Sequence, residues 1–170
     1  KLILFSKNHY EQYDFHNPTT KIKHFIWETF ASHYMELAKN RAYNSTKDFT
    51  KQEQDSACYT LHYCLESLLK LLAPVTPLIT YKIYKDLRKK DIHFEKFLEQ
   101  SGLYKIKFST KDIEELNKKI WKAKKDKGIS LKDEIKSLII PSKFRSISKD
   151  IAKTHNAKEI KFGDILNISF

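Results

Sequence analysis

The 170 residues carry 32 Lys and Arg against 21 Asp and Glu, a net charge of +11, with 41% apolar and 13% aromatic side chains. That apolar fraction excludes a disordered tail and is enough for a real core, while three glycines and four prolines leave little material for a turn-rich β fold. A domain this basic is expected to meet a polyanion, nucleic acid foremost, with lysine-rich genome bias and heat adaptation as competing origins of the charge. No apolar run reaches the ~18 to 20 residues of a membrane span and no signal peptide is recognisable, so a cytoplasmic monomer without membrane contact is expected. Position 1 is Lys and Met35 is the sole methionine, which leads us to expect a piece of a longer polypeptide, a processed N-terminus being the alternative.

In chain order, Leu2 to Phe5 with Tyr10 and Tyr13 predict the tail of a helix. Asn17 is expected to cap a second helix with Pro18 in its first turn, where a missing N–H costs nothing. Ile22, Phe25, Ile26, Thr29, Phe30, His33 and Leu37 then recur every three or four residues and predict its core face. Trp27, Phe30, Tyr34 and Met35 are expected in the core as well. Residues 42–52 predict a loop. A third helix carries Ala57, Cys58, Leu61, Leu65, Leu68, Leu69 and Leu72 to a stop at Pro74, and a fourth runs from about Pro77 to Leu87 with Ile79, Ile83 and Leu87 spaced by four. Residues 92–97 alternate and predict a short extended segment, with Gly102 soon after.

From Thr110 and Asp112 a further helix is expected to about Lys127, with Gly128 as its stop. Residues 135–140 predict a strand, Pro141-Ser142 the start of a helix over about 143–154, and residues 159–162 and 165–168 two more strands. The expected fold class is therefore mainly α: an antiparallel helical bundle over residues 1–97, then a small basic α/β appendage over 98–170. Those two stretches carry net charges of +4 and +7.

Two clusters stand out as RNA-binding candidates. Lys39, Arg41 and Lys47, with Tyr43 and Phe49 among them, join cations for phosphates to rings on which unstacked bases can lie; the plainer reading is a helix C-terminus favoured by cations and a loop anchored by its rings. Removing Lys39 and Arg41 together is expected to weaken binding at nearly unchanged thermal stability. The second cluster is Lys118, Lys119, Lys122, Lys124, Lys125 and Lys127 around Trp121, with Lys118, Lys122 and Lys125 as the chosen contacts and a solvated helix face as the alternative. Cys58 and Cys64 are expected to be reduced core thiols. Cys58 with His62 makes two potential ligands without a third, so no metal site is assigned, and no catalytic residue is assigned because no phosphate loop or nucleophile signature is found.

Motif resemblance carries the reading further. Tyr13, Phe15, Phe25, Trp27, Phe30, Tyr34, Glu36 and Lys39 follow one pattern. Thr60, Leu61, Tyr63, Leu65, Leu69, Leu71, Leu72, Ala73, Pro74, Pro77, Thr80, Ile83 and Tyr84 follow a second. Ile92-His93-Phe94 and the stretch Trp121 to Ile135 add two more. Together these resemble the anticodon-binding domain of class I aminoacyl-tRNA synthetases, in wording closest to archaeal-type valyl-tRNA synthetases. Pro18, Ser32-His33 and Tyr81-Lys82 depart from the family pattern. The resemblance implies a partner, tRNA and specifically tRNA(Val), and a parent ligase that joins valine to it using ATP and Mg2+. This chain, which lacks the HIGH and KMSKS signatures, would hold no cofactor itself. The corresponding domain of isoleucyl-tRNA synthetase and a non-catalytic RNA- or protein-interaction domain are the alternatives.

Overall fold

The computed structural model describes residues 1–99 and 107–170, so Gly102 lies outside the described residues. Packing divides the chain into two compact units, Lys1–Glu28 with Asp55–Leu103 and Thr29–Gln54 with Tyr104–Phe170. This partition differs from a linear division at residue 97, because the segment 29–54 packs with the C-terminal part of the chain. Helices dominate, and the α/β appendage is present.

In the first unit, α1 (Leu2–Tyr10) is tied down by Tyr10, whose Oη donates to the Leu71 carbonyl at 2.9 Å, and by Lys21, whose ammonium lies 3.6 Å from the centre of the Phe5 ring. Helix α2 (His16–His24) starts earlier than Asn17. The capping acceptor is Asp14, which takes the Asn17 backbone N–H at 3.1 Å and its side-chain amide at 2.6 Å. These bonds hold the Asp14 carboxyl down at about 2, and Pro18 is buried in the first turn as its ring and absent N–H allow.

Helix α4 (Lys51–Leu72) stops just before Ala73-Pro74, and α5 (Pro77–Arg88) restarts with proline at its first position and ends on Lys89 at φ 58°. The expected inner line of α5 is corrected: Thr80 and Tyr84 are buried, whereas Ile79 and Leu87 are exposed. Tyr84 packs with Leu69 and with Ile92 as the chain returns, so the return segment sets the buried side of α5. Residues 92–94 form a 3-10 turn instead of an extended segment, because the Asp91 carboxylate accepts the His93 N–H at 2.9 Å; Ile92 is buried and Phe94 exposed.

Phe25–Met35 is π-helical, following α2 and leading into α3 (Glu36–Tyr43). Closing hydrogen bonds five residues apart changes which positions share a face. The predicted stripe holds at Ile22, His33 and Leu37, which are buried, but Trp27 and Met35 are exposed and so leave the expected core. Tyr34 and Phe30 are half-buried, their rings stacked at 5.6 Å. Helix α4 begins one residue before the predicted loop ends, on a reciprocal cap in which the Thr50 N–H donates to Glu53 at 2.7 Å and the Glu53 N–H to the Thr50 hydroxyl at 3.2 Å.

The core of the second unit joins Leu37 to Leu116 and Ile120 of α6 (Thr110–Asp126), to Ile135, Leu138 and Ile140 of β1 (Ile135–Pro141), and to Phe144 and Ile151. Ser109 and Asp112 form the capping box of α6, and Gly128 at φ 71° ends it. A 3-10 turn (Ser142–Ile147) and α7 (Ser148–His155) connect β1 to β2 (Ala157–Gly163), which pairs parallel to β1, while β3 (Asn167–Ser169) pairs antiparallel on its other edge. The sheet order is β2-β1-β3, and burying β1 in the centre matches its apolar run Leu138-Ile139-Ile140.

Candidate nucleic-acid interface

All seven candidate contacts, Lys39, Arg41, Tyr43, Lys47, Lys118, Lys122 and Lys125, fall in the second unit. Lys118, Lys122 and Lys125 are exposed and spaced by four and three residues, so they form one stripe along α6. Lys119 and Lys127 are exposed too. Lys124 is different and leaves the expected ridge. It is 0% exposed, and its ammonium donates to three backbone carbonyls, Leu131 at 2.8 Å, Asp133 at 2.5 Å and His155 at 2.8 Å. Burial pushes its pKa down, against the pull of Asp133. Charge and position therefore make Lys124 a clamp between α6, the turn before β1, and the end of α7.

The first cluster separates in the same way. Lys39 is half-exposed beside Glu36, with which it pairs across one helical turn. Arg41 is committed to Asp150 of α7: its Nε donates to one carboxylate oxygen at 2.9 Å and its Nη2 to the other, and Asp150 is 5% exposed. Burial raises the Asp150 pKa while the guanidinium opposes it. A buried carboxylate left without this partner is costly, so the expectation of unchanged stability does not extend to Arg41. Tyr43 is 78% exposed at the end of α3. Lys47 is exposed at φ 54° in a turn where Asn44, itself at φ 47°, takes the Phe49 N–H at 3.0 Å and gives its amide to the Phe49 carbonyl at 2.7 Å. Phe49 is buried under Lys149, 4.3 Å from its centre, and so anchors the loop instead of offering a face to a base.

Behind Lys39 lies a feature that side-chain spacing did not reveal. Trp121 stacks on buried His33 with centroids 5.4 Å apart and planes at 19°, and tilts against His155 at 5.8 Å. Asn117 links the two histidines, at 3.2 Å from His33 Nδ1 and 2.8 Å from His155 Nε2, and all three side chains are buried. Burial, with Lys124 nearby, lowers the His155 pKa to about 4, so His155 is neutral at pH 7. The half-buried indole lines an open groove of about 460 Å³ with Lys39, Ser32, Glu36, Thr154, Leu131 and Lys132. Lys132 was not among the contacts chosen from sequence, although it lies in the Trp121 to Ile135 stretch that resembles the family.

A family model described as the anticodon-binding domain of tRNA ligase matches residues 1–140. The chain belongs to that family. Among curated relatives it is similar to valine-tRNA ligase of Pyrobaculum aerophilum, with 32% identity covering 91% of this chain and 20% of the relative. It is also similar to valine-tRNA ligase of Nanoarchaeum equitans, 33% identical over 85% of this chain and 18% of the relative, and of Rickettsia felis, 30% identical over 96% and 20%. The chain thus spans about a fifth of the length of these relatives. Within this anticodon-binding domain no described helix is long and apolar enough to cross a membrane.

Proposed function

We propose that the chain is the tRNA-binding part of a valine-tRNA ligase and grips the anticodon stem-loop of tRNA(Val). The observation that carries this reading is the concentration of charge: the second unit holds 21 basic and 12 acidic side chains, a net +9, in a chain of the anticodon-binding family. The α6 stripe tracks the phosphate backbone, and Tyr43 together with Lys39 and Lys47 supplies a ring and cations for the loop. Holding the stem-loop orients the acceptor end at a distant catalytic centre, so RNA binding energy is converted into positioning. Valine, ATP and Mg2+ act in that part of the parent ligase, and no residue of this chain is assigned to them. The working form is a monomer in the cytoplasm.

The test is binding to stem-loops with a valine anticodon, an isoleucine anticodon and a scrambled loop at two salt concentrations. A preference for the valine loop that persists at higher salt supports the valyl reading. Equal, salt-sensitive binding to all three restricts the role to backbone contact, and absence of binding rejects it.

A further inference from the structure

The groove beside Trp121 is roomier than three other hollows among the described residues. The hollow of about 360 Å³ beside Lys119 and Lys143 carries three carboxylates, Asp112, Glu115 and Asp164, which repel a polyanion. Its Phe144 is 2% exposed and offers no ring face. In the first unit, the hollow of about 270 Å³ lined by Lys7, Tyr10 and Phe97 sets one lysine against Glu11, and the one lined by Lys70, Lys96 and Phe97 has two lysines against Glu95 but encloses only about 190 Å³. The Trp121 groove pairs an aromatic and an apolar wall, Trp121 and Leu131, with two lysines, Lys39 and Lys132, against one carboxylate, Glu36. At about 460 Å³ it falls in the ~300 to 1,000 Å³ range of small-ligand sites.

We propose that this groove is a single-nucleotide subsite, in which one unstacked RNA base lies against Trp121 and its phosphate is held by Lys39 and Lys132. The inference rests on the RNA-binding reading above and adds to it a place for one base. Three features favour a base over another planar ligand. Trp121 is pre-organised, because His33 carries one of its faces and is itself fixed by Asn117, so stacking a base costs little side-chain ordering. The Glu36 carboxylate, which pairs with Lys39 through one oxygen, supplies acceptor capacity suited to a base's amino or ring N–H groups. The lysines supply the positive charge that a nucleotide's phosphate requires, and the adjoining α6 stripe of Lys118, Lys122 and Lys125 gives the neighbouring backbone somewhere to continue.

Fluorescence tests this directly, since the chain has two tryptophans and the other, Trp27, is 63% exposed. In Trp27→Phe, Trp121 emission is expected to be quenched by the valine-anticodon stem-loop, with the midpoint found by filter retention. Lys132→Glu should weaken retention roughly tenfold, the loss of about 1.4 kcal/mol that one phosphate contact and its reversal imply. Lys136→Glu makes the same charge change at another exposed position of the unit and should weaken it only about two- to threefold by long-range repulsion. Retention with unchanged Trp121 emission and equal effects of the two reversals would overturn the subsite and leave RNA binding intact. Equal quenching by a fully paired RNA duplex would overturn the base assignment. If no RNA is retained, the subsite and the RNA-binding reading fall together.

Discussion

The two units differ in charge and in what they bury. The first, Lys1–Glu28 with Asp55–Leu103, holds 11 basic and 9 acidic side chains, a net +2, against +9 for the second. The surface of the first is also rich in rings and aliphatic groups, with Trp27, Tyr59, Tyr63, Leu78, Ile79 and Phe94 exposed. The second presents most of its described lysines outward and encloses His33, Asn117, Lys124, Asp150 and His155, whereas among its described residues the first encloses only Ser6 and Thr80 of the polar side chains. The unit with the more cationic surface thus also has the more polar interior, and its clamps are drawn from the same residue types as its surface contacts. Substitutions of like residues in it should therefore give unlike results.

The largest effect is expected at Lys124. Lys124→Ala leaves three carbonyls, that of His155 buried, without their donor and opens a cavity, so unfolding in denaturant should show a loss of about 4 kcal/mol, while Lys122→Ala, two residues away and exposed, should change stability by less than about 0.5 kcal/mol. Equal effects would erase the distinction between clamp and ridge. Arg41→Ala comes next, at about 3 kcal/mol, because Asp150 would stay buried without its guanidinium. Adding Asp150→Asn should recover part of that loss, and Lys39→Ala, which breaks only a solvent-screened pair, should leave the melting temperature nearly unchanged.

A pH titration sharpens the comparison further. The folded-state pKa of His155 is lowered from 6.5 to about 4, so between these values the unfolded chain binds the proton and the folded one does not. Its contribution is therefore complete above pH 6.5 and is lost as pH falls toward 4, up to about 3 kcal/mol by linkage. His155→Asn should flatten that part of the stability profile; an unchanged profile would remove His155 as its source. The smallest effect is electrostatic. Lys122→Ala with Lys125→Ala should lower the slope of log K against log salt by about 1 to 2 for RNA binding, whereas Lys82→Ala with Lys89→Ala in the first unit should leave it unchanged. Similar slopes for both pairs would mean that RNA contacts do not follow the charge asymmetry.

Much of the local structure was legible because its causes are local. Pro74 and Pro77 bracket the break between α4 and α5, Gly128 ends α6, and the Leu138-Ile139-Ile140 run marks the central strand. The π-helical turn hydrogen-bonds at a spacing that apolar periodicity does not encode, so Trp27 and Met35 were expected inside and lie outside. Likewise Asp14 and Thr50 cap helices through side-chain oxygens whose alignment depends on the turn around them.

By itself the sequence determined a basic, mainly helical chain with an α/β appendage, the stops of its helices, and the family motifs, because composition and short-range sterics act within a few residues. Only the tertiary structure decided which cations are available. Lys124 and Lys125 are neighbours of the same type, yet one is enclosed by three carbonyls and the other faces solvent. Arg41 and Asp150 meet across 109 positions of sequence, and Ser32, Trp121 and Lys132 come together around one groove. The physical reason is that a charge takes its role from the acceptors and the dielectric around it, and those are supplied by segments far away in the chain.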